Sequence, residues 1–224
     1  RVLFRSAKKR PTKGQLVMFE AVLAALADHG FTPTAIAARL TYASAPDSLQ
    51  GALAAGLLGG GSRFLGVTED CAHFLAGELV RIGELPTTQD GWDAVALESV
   101  RLQREKGKFV PGLGHPVHKQ GDPRTPVLMQ LARDNGTFGA HLSLFESIGR
   151  VHSQVLGKTL PLNGAGVCGA VLADVGLPMG VMRGVALLAR CAGLLGHLVE
   201  EQTHPVGIDI YMNVDRNIDY QPPK

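Results

Sequence analysis

The feature that most limits what this chain can become is the spacing of its apolar residues. In "TKGQLVMFEAVLAALADHG", Leu16, Phe19, Val22, Leu23 and Leu26 recur every three or four positions, the period of one helix face, and Gly30 stands where such a helix would stop. Similar runs follow. "SLQGALAAGLLGG", "VTEDCAHFLAGELVRIG", "TTQDGWDAVALESVRLQREKG" with a Thr or Asp cap, "TPVLMQLARDNG" with an early proline and a terminal Asn-Gly, and "AHLSLFESIGRVHSQVLG" all read as helices. After a break at "KTLPLNGAG" come "GVCGAVLADVG" and a long helical segment from Pro178. Alternating β-branched runs are almost absent, so the expected fold class is all-α.

Length and charge narrow the function classes. At 224 residues the chain fits one large domain, or a domain with a subdomain, and needs no disulfide or metal to hold a core. A net charge of +2 without a basic stripe, and aromatics at only 5%, give no platform for nucleic acid. Cys71, Cys168 and Cys191 lie far apart with no CxxC pairing, which points to a reduced, cytoplasmic protein without a zinc site. No apolar stretch follows the basic "RVLFRSAKK", so it is not a secretory signal. These leading residues are expected to be linker-derived or disordered, with the natural N-terminus missing. The longest apolar tract is interrupted by Arg183, Arg190 and His197, which argues against a membrane span. Those three recur every seven residues on one helix face, read first as a solvated stripe and otherwise as the lining of a site or interface. Gly180, Gly184, Gly193 and Gly196 on the same segment suit a tightly packed helical core or a dimer seam.

The chemistry concentrates in "FVPGLGHPVHKQGDPR", residues 109 to 124. Glycines let a backbone approach a ligand, prolines fix its path, and the charged groups behind them face what the backbone touches. A plain connection between helices is the competing reading. "GLLGGGSRFLG" follows a helix and lacks the Gly-Lys-Ser/Thr ending of a phosphate loop. His115 and His118 have no third ligand nearby, so no metal is expected. Neither G-x-S-x-G nor a strand-borne G-x-G-x-x-G occurs. What remains is a set of loop-edge groups: His29 at "ADHG", His115, Arg124, and "NGAG", read as a turn at 163–166. A histidine can polarise a carbonyl or carry its proton, and an arginine can hold a carboxylate with two prongs. That set suits a carboxylate-rich substrate and an enolate intermediate.

"PTKGQ", "ADHG", "GLLGGGSRF" and "PGLGHPVHKQGDPR" occur in this order between about Pro11 and Glu201. By these motifs the chain resembles the citrate synthase superfamily, and within it the citryl-CoA lyase branch that includes the C-terminal module of ATP-citrate lyase. Phe64 stands where citrate synthases proper usually carry a histidine. The resemblance implies a citrate-synthase-like fold, with a smaller helical subdomain at about 67–175 inserted in a large domain formed by 1–66 and 176–224. It implies a homodimer with its active site between the domains, and no permanently bound cofactor. The substrate would be a coenzyme A thioester together with a di- or tricarboxylate. The implied reaction is retro-Claisen cleavage of an acyl-CoA such as citryl-CoA to acetyl-CoA and oxaloacetate, or the reverse condensation. Val110, Pro111, Gly112, Leu113 and Gly114 would wrap the CoA adenine. His115 would polarise the oxaloacetate carbonyl, Arg124 would grip a carboxylate, and His29 would line the pocket. The family's catalytic aspartate belongs in Asn-Val-Asp-Gly, but here the stretch is Asn163-Gly164-Ala165-Gly166. Ala165 can neither remove nor return a proton, and Asp174, two turns further on, is expected to face elsewhere. A non-catalytic CoA-thioester-binding homologue is therefore the alternative. A second carboxylate-binding arginine is not evident near the C-terminus, where "QTHPVG" offers only His204.

Overall fold

The computed structural model describes Arg5, residues 8–115 and residues 118–223. Most of the leading segment expected to be disordered therefore lies outside the described residues. Among these there is no β-strand, only an isolated antiparallel bridge between Leu113 and Leu162. Eleven α-helices account for the regular structure: α1 (Lys13–Ala27), α2 (Pro33–Ser44), α3 (Leu49–Leu58), the four-residue α4 (Ser62–Leu65), α5 (Val67–Ile82), α6 (Gln89–Glu105), α7 (Arg124–Asp134), α8 (Ala140–Leu156), α9 (Gly164–Val175), α10 (Met182–Thr203) and α11 (Gly207–Asn217). A short 3-10 turn, Met179–Val181, leads into α10.

The helix boundaries follow local chemistry. The Thr88 hydroxyl accepts from Gly91 N–H at the start of α6, satisfying a donor that the first turn leaves without a helical partner. Gly157 ends α8 in the left-handed region, φ 68°, where a side chain would be strained. Two segments depart from the expected pattern. Residues 163–166 are not a turn: Asn163 is the N-cap of α9, its side-chain oxygen accepting from Gly166 N–H at 2.8 Å. The first helix ends at Ala27, so His29 lies beyond it, in a turn where Asp28 Oδ1 accepts from Gly30 N–H.

The chain divides into two compact units, Arg1–Leu26 with Ser62–Ala186, and Ala27–Gly61 with Leu187–Lys224. In the first, α5 packs on α9, and α6 on α8, around Met18, Leu75, Leu142, Phe145, Ile148 and Leu172. In the second, α2 packs on α3 and on α11, around Ala35, Ala38, Ala52, Leu194 and Leu198. Small alanines at that seam bring backbones close: a Cβ on Gly56 would lie 2.8 Å from both Leu194 Cδ1 and Thr34 O.

Helix α10 corrects the solvated-stripe expectation. Arg190 is 0% exposed and His197 8%, while the Arg183 side chain keeps about a third of its surface and pairs with Glu69 at 2.6 Å. Of the four glycines singled out on this segment, Gly180 of the 3-10 turn and Gly184 and Gly196 of α10 have open space beside them, and only Gly193 sits in close contact, against the Ala27 carbonyl. By length and composition alone, the stretch Met179–Thr203 could cross a membrane, a test that the core helix of a soluble protein also passes.

Candidate active site

Residues 110–114 are fastened to the start of α9 by a short ladder. Asn163 N–H donates to Gly112 O, Gly114 N–H donates to Pro161 O, and Asn163 Nδ2 donates to Gly114 O at 2.8 Å. The backbones touch where Gly112 meets Gly166. A Cβ on Gly166 would lie 2.5 Å from Gly112 Cα, and one on Gly112 would lie 2.7 Å from Phe145 and 3.0 Å from Cys71 Sγ. Gly112 also holds φ +84°, so both space and backbone conformation demand glycine there. The glycines legible in the loop therefore serve the packing of the loop on the helix as well as any ligand.

His115 follows directly. Its Nδ1 accepts from His118 N–H at 2.9 Å, which leaves the proton of the neutral ring on Nε2. Burial depresses its pKa, and neighbouring His118 lowers it further, so the ring is a neutral hydrogen-bond donor at physiological pH. That is the form able to polarise a carbonyl without first giving up a charge.

Arg124 opens α7, and its two-pronged grip is already engaged. Nε donates to Asp122 Oδ1 at 2.9 Å, NH2 to Asp122 Oδ2 at 2.7 Å, and NH1 to Ala25 O. Asp122 is 2% exposed and also accepts from Gly164 N–H at 2.7 Å. Burial pushes its carboxyl up, but the Arg124 hydrogen bonds and the Gly164 amide outweigh it and bring the pKa down to about 2. Asp122 thus couples the arginine to the N-terminus of α9, and a Cβ on Gly164 would run into the guanidinium.

Ala165 is the second residue of α9, half-buried, next to Gly164. Asp174 does face elsewhere: 3% exposed, it accepts from Gly139, His141 and Leu142 N–H and contacts His141 Nδ1 at the start of α8. A surface cleft of 620 Å³ lined by Leu97, Arg101, Arg104 and Val155 touches none of these residues. The candidate site is accordingly marked by its hydrogen bonding and not by that concavity.

In the second unit His29 is exposed beside Asp28. Arg190 of the same unit, read from the sequence first as part of a solvated stripe and only second as the lining of a site, is the group that stands out. It is fully buried, and none of its three guanidinium nitrogens meets a hydrogen-bond partner among the described residues. Burial lowers its pKa, and the Asp28 charge only partly opposes this. A buried, unsatisfied guanidinium costs several kcal/mol, roughly, and its natural complement is an anion. The only signal in the sequence was the seven-residue spacing of Arg183, Arg190 and His197, which a solvated stripe explains equally well.

The chain belongs to the citrate synthase family: the model for the citrate synthase C-terminal domain matches residues 1–208. The fold matches a citryl-CoA lyase from Hydrogenobacter thermophilus with TM-score 0.84 and 30% identity, covering 100% of this chain and 84% of that one. It also matches an ATP citrate lyase from Methanothrix soehngenii, solved with citrate and coenzyme A, with TM-score 0.76 and 24% identity over 97% of this chain and 36% of that one. A probable ATP-citrate synthase from Caenorhabditis elegans is 26% identical over 207 residues, 84% of this chain but only 18% of the relative. The chain thus spans less than a fifth of that relative's length.

Proposed function

We propose that the protein acts on a carboxylate-bearing CoA thioester such as citryl-CoA, cleaving it to acetyl-CoA and oxaloacetate or catalysing the reverse condensation. The observation that carries this reading is His115, fixed as a neutral Nε2–H donor at the end of a loop fastened to the helix start that bears Ala165. In the condensation direction, Nε2–H of His115 donates to the ketone oxygen and draws electron density from the carbonyl carbon that the thioester enolate attacks. In cleavage the hydroxyl gives its proton to water, the same contact stabilises the resulting alkoxide as it becomes the ketone, and the electrons of the breaking C–C bond pass to the thioester enolate, which takes a proton at carbon from water. Val110, Pro111, Gly112, Leu113 and Gly114 receive the CoA adenine. Arg124 takes a substrate carboxylate; within the second unit Arg190 attracts an anionic group, and His29 is proposed as a further binding residue there. Coenzyme A is substrate and not a resident group. The lyase from Hydrogenobacter thermophilus and the citrate and coenzyme A held by the Methanothrix soehngenii protein support this reading. The segment 67–175 is proposed as a subdomain, and the protein as a cytoplasmic homodimer that takes neither nucleic acid nor membrane as partner.

Ala165 favours a second reading, a homologue that binds the thioester without turning it over. Ala165→Asp distinguishes the two. An aspartate there would sit at the second position of α9, where the helix dipole stabilises its charge while partial burial raises its pKa. Citryl-CoA cleavage, followed through oxaloacetate with a coupled dehydrogenase, is expected to be slow in the wild type and about 10²–10⁴-fold faster in Ala165→Asp. A wild type that is fast and harmed by the substitution assigns proton transfer to another residue. Calorimetric binding of CoA without turnover by either protein favours the second reading, and no binding at millimolar CoA removes both.

A further inference from the structure

Helix α10 carries a second histidine whose protonation is fixed by its neighbours, and no step above uses it. His197 is 8% exposed. Arg39, from α2, reaches its Nδ1 with Nε at 3.2 Å and NH2 at 3.0 Å. A guanidinium only donates, so Nδ1 must be the acceptor and the ring proton must sit on Nε2. Arg39 is itself fixed: 1% exposed, it pairs with Glu201 at 2.8 Å and with Glu200, and its guanidinium lies 4.9 Å from the Phe31 ring centroid. Glu201 in turn accepts from Val206 and Gly207 N–H at the start of α11. Phe31 meets the His197 ring edge-on at 5.5 Å. The charged groups facing the ring are thus Arg39, Arg190, Asp28 and Glu200; burial and the two arginines hold its pKa down, against the two carboxylates. The Nε2 side is the one toward Asp28, whose carboxylate is 3.7 Å away, beyond hydrogen-bond reach and 83% exposed.

Two groups of the same unit border the Ala27–Asp28 segment: Arg190 NH2 lies 3.2 Å from the Cβ position of Gly193, which packs on the Ala27 carbonyl, and His197 Nε2 faces Asp28. Among the described residues neither the Arg190 guanidinium nor the His197 Nε2–H meets a hydrogen-bond acceptor. We infer that His197 is a second hydrogen-bond donor to the ligand carboxylate that Arg190 attracts, with Arg39 as the positioning residue that sets its tautomer. This rests on the proposed function only for the nature of the ligand. A neutral donor beside a cation adds directionality without a second buried charge, and it distinguishes a carboxylate from a simple halide.

The two amide replacements of histidine separate this role from a structural one. In His197→Gln the amide nitrogen can occupy the Nε2 position and the acceptor for Arg39 is lost. In His197→Asn the amide oxygen can accept from Arg39 and the Nε2 donor is lost. Calorimetry with citrate is expected to show binding weakened about ten- to a hundredfold in His197→Asn and largely kept in His197→Gln. Thermal melting should rank them the other way, with His197→Asn the more stable. If His197→Asn binds citrate as well as His197→Gln, the donor role is overturned. Long-range ¹H–¹⁵N correlation spectra of the wild type test the tautomer independently of any variant. A proton on Nδ1, or a doubly protonated ring at neutral pH, overturns the inference even if citrate binds. An Nε2–H tautomer in a wild type that binds no citrate instead sinks the functional reading, and the donor role with it.

Discussion

Single residues in this protein carry protonation states set by what donates to them. His115 accepts from a backbone amide and His197 from a guanidinium, and each ring is left with its donor on Nε2. Neither state was legible in the sequence, because it depends on which group a fold brings to Nδ1. The importance of His115 was legible, since it follows a glycine-proline run that allows no helix. Arg190 was not, for its distinction is burial without a partner, and a sequence records no burial. That property yields a prediction with opposed outcomes. Arg190→Met removes an unpaired buried charge and keeps the volume, so stability in the absence of ligand should rise by about 1 kcal/mol or more. Citrate affinity should fall about ten- to a hundredfold. Denaturant unfolding and calorimetry read the two; a variant that loses stability would mean that Arg190 has a structural partner.

At the scale of elements, helices with a capping residue or a left-handed glycine were the readable ones: α6 behind Thr88, α7 before Asn135 and Gly136, and α8 before Gly157. Besides the four-residue α4, two helices have no clear sequence signature. The inward face of α2 is made of Thr34, Ala35, Ala38 and Arg39, too small and too polar to register as an apolar stripe, although Pro33 at its first turn was a usable signal. Helix α11 buries only Gly207, and the chemistry that starts it, Glu201, lies on the preceding helix. "NGAG" was misread because Asn-Gly serves turns and helix caps alike. Long-range caps of this kind are testable at α8. Asp174 satisfies three backbone amides there from a distance of more than thirty residues, more than a local cap provides. Asp174→Ala should therefore destabilise the protein by roughly 2–3 kcal/mol, beyond the ~1 kcal/mol of an ordinary cap. The drop in unfolding free energy, compared with that of Thr88→Ala, provides the check.

For the molecule as a whole, acid should act through Asp122. Its carboxyl titrates at about 2 in the folded protein against an ordinary 3.8. A depressed folded value means stability that is fully present above the unfolded pKa and lost as pH falls from about 4 through about 2, at most about 2 kcal/mol. Asp122→Asn should be less stable than the wild type at pH 7, and the gap should narrow below about pH 4 and close only near pH 2. Melting curves across that range check the sign; a gap independent of pH would assign the effect to packing. The all-helical class and the family were readable because both are written in local patterns, helical spacing and contiguous motifs. Which segments share a compact unit depends on contacts between stretches far apart in the chain, which local patterns do not record.

The touching glycines at 112 and 166 also set how the chain can drift. Position 166 is a helical residue barred from alanine by space alone, whereas position 112 is barred twice, by space and by its φ of +84°. Tolerance of mutation should then be lopsided. A library randomised at both codons and selected for soluble, folded protein should recover occasional alanine at 166, where a small retreat of the loop makes room, and almost none at 112. Equal recovery at both would mean that the loop is not held where its hydrogen bonds place it. A lineage that loses Gly166 first would thereby loosen the loop before losing it, leaving a helical scaffold intact while its ligand specificity changes.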